Sequence, residues 1–282
     1  MKIARVRYEG RVLAARVAGD TVFPVVVEEP RHMSDAVRDL IADGTAEEVL
    51  GAGVPGVPLA DVELLSPLAA PQKIVCIGLN YADHIRETGL RTPQSPLAFV
   101  KTAHCLTGPA AEVRVPRGTT EQLDWEAELA VVVGRTARNV SAADAAAYVF
   151  GYTVANDVSA RDAQFSDGQW FRGKNFDGFC PLGPWITTAA EVPDPQDLAV
   201  RARVNGRTVQ DGSTKEMIFG VAEVIAYLSR YMTLYPGDVI ATGTPHGVGM
   251  GRDPQLWLAD GDVVEVEVEG LGLLRNPVRV TG

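Results

Sequence analysis

The sequence predicts a β-rich mixed α/β protein, with a small N-terminal α+β domain over residues 1–70 and a larger domain over 71–282. Three observations predict it. Apolar runs of strand length dominate from residue 73 onward. Helices do not follow those strands regularly, which argues against a doubly wound parallel sheet. Residues 51–71, GAGVPGVPLADVELLSPLAAP, are rich in Gly and Pro and read as a connector.

The elements follow in order. Residues 2–28 alternate apolar and polar and are punctuated by Glu9-Gly10 and Gly19-Asp20, the pattern of an antiparallel meander. SDAVRDLIADG then reads as a helix capped by Ser34 and stopped by Gly44. In the larger domain IVCIGLN, ELAVVVG, GYTVAND, AVRARVNG, DVIATGT and VVEVEVEG read as strands. YADHIRETG, SAADAAAYVFG and the amphipathic MIFGVAEVIAYLSRY read as helices. No fixed-period repeat or low-complexity segment occurs.

Composition narrows the function. The chain carries 26 Lys and Arg against 36 Asp and Glu, a net charge of −10. A nucleic-acid surface needs clustered cations, and so does docking on an acidic membrane, so neither partner is expected. Cys76, Cys105 and Cys180 form no CxxC pair, and MKIARVRYEG has no apolar stretch behind its charges. Both features predict a cytoplasmic protein.

The chemistry starts at DWEAELAVVVG, residues 124–134, where three acids lead into an apolar run. On a strand Glu126 and Glu128 share a face. Two adjacent carboxylates repel, and a hard divalent cation relieves them; the bland alternative is a solvated strand end. GYTVAND adds Asp157 at the end of a second strand, and VSARDAQ follows with Arg161 and Gln164 on one helical face. Arg161 suits a small anionic substrate, or else a surface ion pair. Lys174 lies in a Gly-bounded loop among aromatic residues, either as a solvated charge or as a group that stabilises an enolate. ATGTPHGVG, residues 241–249, offers backbone donors with Thr242 and Thr244, and lacks the ending of a phosphate-binding P-loop. His84 and Glu87 are three apart, the spacing of an oriented general base, of a metal-ligand pair or of a surface pair.

Taken together, IVCIGLNYADHIRETG, DWEAELAVVVG, GYTVANDVSARDAQ, QWFRGKNFDGFCPLGPW, NGRTVQDGSTKEMIF, YPGDVIATGTPHGVGMGR and GDVVEVEVEGLGLLRNPV resemble the fumarylacetoacetate hydrolase family, over about Lys73 to the C-terminus. The resemblance implies a β-roll catalytic domain and a homodimer. It implies Mg²⁺, with Mn²⁺ or Ca²⁺ as substitutes, on Glu126, Glu128 and Asp157. His84 and Glu87 match the water-activating dyad of a lid spanning about residues 80–95. Arg161, Gln164, Lys174 and Thr244 match groups around a 2-oxo acid substrate. Two positions depart from the pattern: His104-Cys105 after FVK, and His246 in the TGTP loop. Asp124 shares the face of the glutamates yet matches no ligand position, and reads as a solvent-side or supporting carboxylate.

The reaction so implied is hydrolysis of a C–C bond in an acylpyruvate-like β-diketo acid, through a metal-bound pyruvate enolate. Oxaloacetate decarboxylation, or isomerisation or hydration of a 2-oxo-alkenoate, would use the same enolate. A non-catalytic binding relative is the reading from another class.

Overall fold

The structure is a computed structural model that describes residues 1–25 and 35–282. Its β-rich mixed α/β architecture is the class expected. The N-terminal meander forms as Lys2–Tyr8, Arg11–Ala18 and Thr21–Val25. Glu9 and Gly10 both have positive φ, the geometry of a two-residue hairpin turn that matches strand twist. The proposed cap Ser34 lies outside the described residues. Helix Ala36–Asp43 begins after Asp35, whose side chain accepts the Arg38 N–H, and ends at the left-handed Gly44.

One large sheet runs through most of the chain. Its central order is Lys2–Tyr8, Cys180–Thr188, Val149–Asn156, Ala127–Val133, Val239–Ala241, Ile74–Gly78 and Leu97–Lys101. The expected boundary near residue 70 falls in residues 66–73, which carry no regular element. The sheet spans that boundary, because Lys2 and Ile3 pair with Thr187 and Ile186. A second, five-stranded sheet orders Arg207–Ser213, Ala199–Val204, Val263–Val268, Gly272–Thr281 and Val113–Pro116.

The two sheets enclose the main core. Leu129, Val131 and Val133 face Val200, Val264, Val266 and Leu274 of the second sheet. Ala130 and Val132 point the other way, into a cluster with Val37, Leu40 and Ile41 of the N-terminal helix. Ala127–Val133 is therefore buried on both faces, which explains why its sequence is a continuous apolar run rather than an alternation.

Two expectations change. SAADAAAYVFG forms only a short 3₁₀ turn at Ala145–Tyr148, and its last residues join strand Val149–Asn156. The aromatic and β-branched residues there have strands to pair with on both sides, which overrides the local alanine signal. The amphipathic helix is confined to Val221–Tyr231, because Gly220 starts it and leaves Met217–Phe219 outside. Among the described residues no helix is long and apolar enough to cross a membrane.

Candidate active site

The three acids converge. Each of Glu126, Glu128 and Asp157 offers an oxygen within 4.8 Å of the others, and all three are buried. Glu126 lies just before strand Ala127–Val133 rather than inside it. Its backbone N–H donates to Asn156 Oδ1 at 3.0 Å, and its carbonyl accepts the Asp157 N–H at 3.0 Å. The ends of two neighbouring strands are thereby locked together, and that junction brings the carboxylates to one point.

The electrostatics of the three differ. Glu128 receives a hydrogen bond from Gly243 N at 2.9 Å. Burial, then the charges of Asp157 and Glu126, pushes its carboxyl well above the usual range. Burial alone would raise Glu126 too, yet the adjacent Lys174 and Arg161 hold it below the usual range. Lys174 Nζ donates to Glu126 Oε2 at 2.7 Å and to Asp157 Oδ2 at 2.9 Å. Lys174 is 1 % exposed and closes the short helix Phe171–Lys174, so the solvated-loop alternative does not hold.

Lys101 is a site residue that sequence reasoning passed over. Its Nζ donates to Asp157 Oδ1 at 2.5 Å and to Val158 O at 3.1 Å, with no exposure of the side chain. The available signal was a lysine closing the apolar strand LAFVK. A lysine there has to find a buried carboxylate, and Asp157 is that carboxylate.

Arg161 meets three side chains. Nε donates to Asp124 Oδ2 at 2.8 Å, Nη1 to Gln164 Oε1 at 3.0 Å, and Nη2 lies 2.7 Å from Glu126 Oε1. Asp124 is 0 % exposed, which corrects the solvent-side alternative. Its Oδ1 also accepts Trp125 N at 2.9 Å and Gly249 N at 2.6 Å, and its Oδ2 accepts Met250 N at 3.1 Å. Asp124 thus fastens Arg161 and the 249–250 turn to one carboxylate.

His84 sits on helix Ala82–Thr88 and lines the same cavity as Glu126 and Glu128. Its Nδ1 is 3.2 Å from Glu87 Oε2, while Glu87 Oε1 accepts the Gly247 N–H at 2.8 Å. With Nδ1–H directed at Glu87, Nε2 is the basic nitrogen. Leu79 and Gly89, on either side of the helix, both have positive φ; a leucine in that region is a strained position. Thr244 lines the cavity and accepts Gln210 Nε2 at 2.8 Å. Thr242 instead donates its hydroxyl to Leu129 O at 2.8 Å and is fully buried, so it serves the sheet.

The two departures lie outside the cavity lining. His104 contacts Thr102 Oγ1 at 2.7 Å and Asn175 O at 2.8 Å, bracing the residue after Lys174. His246 Nδ1 lies 2.7 Å from Asp83 Oδ2, tying the TGTP loop to the helix of His84. The space among the cavity-lining residues is about 30 Å³, and His84 and Thr88 of helix Ala82–Thr88 form part of its wall.

The donor set fits a hard divalent cation. It consists of oxygen atoms, and Glu128, whose neutral form is favoured by burial and by the charges of Asp157 and Glu126, has no cationic side chain at salt-bridge distance among the described residues, so a cation there would favour its ionised form.

Comparison with known proteins identifies relatives over most of the chain. The family model described as fumarylacetoacetate (FAA) hydrolase C-terminal matches residues 73–279. The chain is 47 % identical over 252 residues to a 2,4-didehydro-3-deoxy-L-rhamnonate hydrolase of Sphingomonas sp. (strain SKA58), covering 88 % of each. It is 46 % identical over 242 residues to a mitochondrial oxaloacetate tautomerase of Rattus norvegicus, covering 86 % of this chain and 77 % of that protein. A crystal structure of maleylpyruvate hydrolase from Sphingobium sp. SYK-6, in complex with manganese(II) and pyruvate, superposes with a TM-score of 0.85 at 32 % identity, covering all of both chains.

Proposed function

This chain belongs to the fumarylacetoacetate hydrolase family, and from that premise we propose that it is a divalent-metal-dependent hydrolase cleaving the C–C bond of an acylpyruvate-like 2,4-dioxo acid. The observation that carries the reading is that His84, paired with Glu87, lines the same cavity as Glu126 and Glu128 of the buried acidic triad. A buried imidazole with one nitrogen committed to a carboxylate is suited to take a proton from water.

Glu126, Glu128 and Asp157 would hold Mg²⁺, or Mn²⁺ in its place. The cation, when bound, supplies Lewis-acid polarisation of the substrate's carboxylate and 2-oxo oxygens. His84 Nε2 removes a proton from water, and the hydroxide oxygen adds to the C4 carbonyl. The C3–C4 bond then breaks, its electron pair passes to C3, and the acid leaves from the C4 side. Lys174 supplies fixed positive charge beside the developing pyruvate enolate. Return of the proton to C3 completes pyruvate. Gln164 and Thr244 orient the head group, and Arg161 fixes the position of Glu126. The same reading carries a small 2-oxo acid as ligand and a homodimer as the assembly.

The name of the rat relative supports a second reading, keto–enol interconversion of oxaloacetate, which needs proton transfer at C3 and no attacking water. One experiment separates the two. With Mg²⁺, wild-type protein should release pyruvate from acetylpyruvate. His84→Ala should lower that rate by about 10²–10⁴-fold and lower oxaloacetate tautomerisation less. Absence of pyruvate release from every acylpyruvate tried would overturn the hydrolase reading.

A further inference from the structure

Resting on the 2-oxo acid reading of the site, we infer that the substrate's tail is apolar and carries no second carboxylate. The cavity lining combines two kinds of side chain. Its charged members are Glu126, Glu128, Lys174, Arg161 and His84. Beside them, with Thr88, Gln164 and Thr244 as polar members, stand the apolar Leu79, Leu90, Phe99, Phe165, Trp170 and Met250.

The apolar wall is shaped by close packing. Phe99 and Trp170 meet edge to face at 5.4 Å. Gly78 makes that possible, because a Cβ there would lie 2.3 Å from Trp170 Cζ3. At the mouth, Leu90 and Phe165 are 42 % and 50 % exposed. Two large apolar side chains held open to water at the rim of a cavity gain from covering an apolar group.

A terminal carboxylate would find no partner there. Among the described residues that line the cavity, the cations other than histidine are Arg161 and Lys174. Arg161 lies in ion-pair contact with Asp124 and Glu126 and bonds Gln164, and Lys174 points at Glu126 and Asp157. A carboxylate against Leu90, Phe165 and Trp170 would gain no ion pair from the lining and would leave their apolar surface uncovered.

The test separates tail from head with ligands that are not cleaved. Affinities of Mg²⁺-loaded protein for pyruvate, 2-oxohexanoate and 2-oxoadipate are measured by calorimetry. The first reports the head alone, and the other two share a chain length and differ in the terminal carboxylate. 2-Oxohexanoate should bind more tightly than pyruvate, approaching about fourfold per buried methylene, and at least about tenfold more tightly than 2-oxoadipate. Leu90→Ala and Phe165→Ala, both at exposed positions, should weaken 2-oxohexanoate several-fold and leave pyruvate unchanged. Equal or tighter binding of 2-oxoadipate, with pyruvate still bound, would overturn the apolar-tail inference and spare the head-group reading. Failure of all three ligands to bind would overturn both.

Discussion

Replacing Asp124 with asparagine changes one buried charge and almost no volume, so its effect reads the role of that carboxylate directly. Oδ2 accepts Arg161 Nε at 2.8 Å and Met250 N at 3.1 Å, while Oδ1 accepts Gly249 N at 2.6 Å and Trp125 N at 2.9 Å. An amide keeps one oxygen, which can still serve Gly249 and Trp125. Its NH₂ then faces two donors, and a guanidinium 4 % exposed loses a counter-charge. Breaking a buried pair from one side costs about 3–5 kcal/mol, and the orphaned Met250 N–H overlaps with that cost rather than adding fully. At about 2–4 °C per kcal/mol, the thermal midpoint should fall by about 6–20 °C. A double-mutant cycle with Arg161→Met, followed by thermal and denaturant unfolding, locates the loss. If Asp124 acts by holding Arg161, the two changes together should cost at least about 2 kcal/mol less than the sum of the single changes. A midpoint within experimental error of wild type, or strictly additive costs, would refute the reasoning.

Two other perturbations test the site and its surroundings. Glu128→Gln should abolish Mg²⁺ binding by calorimetry while leaving the metal-free protein as stable as wild type or more so, because burial and the charges of Asp157 and Glu126 already disfavour its ionised form; a less stable metal-free variant would count against it. The thiols should be inert in the folded state. Burial raises Cys76, Cys105 and Cys180, the last to about 12, so the thiolate fraction at pH 8 falls below that of a free cysteine. Modification by a thiol reagent at pH 8 should therefore become rapid only on denaturation, and fast labelling of native protein would contradict the assignment.

Much of this site was legible because its residues break a local pattern. Acids at the mouth of the apolar run AELAVVV, and Asp157 closing GYTVAN, stand out where strand neighbours are apolar. His84 and Glu87 stood out by helical spacing, and helix Ala82–Thr88 does place them side by side. What stayed hidden depends on partners distant in the chain. Asp124 meets Arg161 across 37 positions and Gly249 across 125, and nothing local distinguishes such a carboxylate from a solvated one. Lys101 meets Asp157 across 56. Strand Cys180–Thr188 was also unreadable, since Pro181 and Pro184 argue against a central strand; its ladder tolerates Pro184 through a register shift opposite Tyr152 and Val154, and Pro181 lies before that shift, paired with Thr107.

The charges of the site explain why its substrate should be a monoanion. Setting aside the His84–Glu87 pair, the buried carboxylates are Asp124, Glu126, Glu128 and Asp157, and the buried cations around them are Lys101, Arg161 and Lys174. With all four ionised, as a bound divalent cation would favour, four negative charges stand against three positive; without the cation, burial and the charges of Asp157 and Glu126 favour the neutral form of Glu128, which has no cationic partner at salt-bridge distance among the described residues. A divalent cation reverses that sign to a single positive charge. One carboxylate from a 2-oxo acid then closes the balance, whereas a second carboxylate would reopen it, with Arg161 and Lys174 already set against the acids and the lining offering no further cation other than His84. The apolar wall and the count of buried charges are separate observations, one about shape and one about electrostatics, and both select against a dicarboxylate.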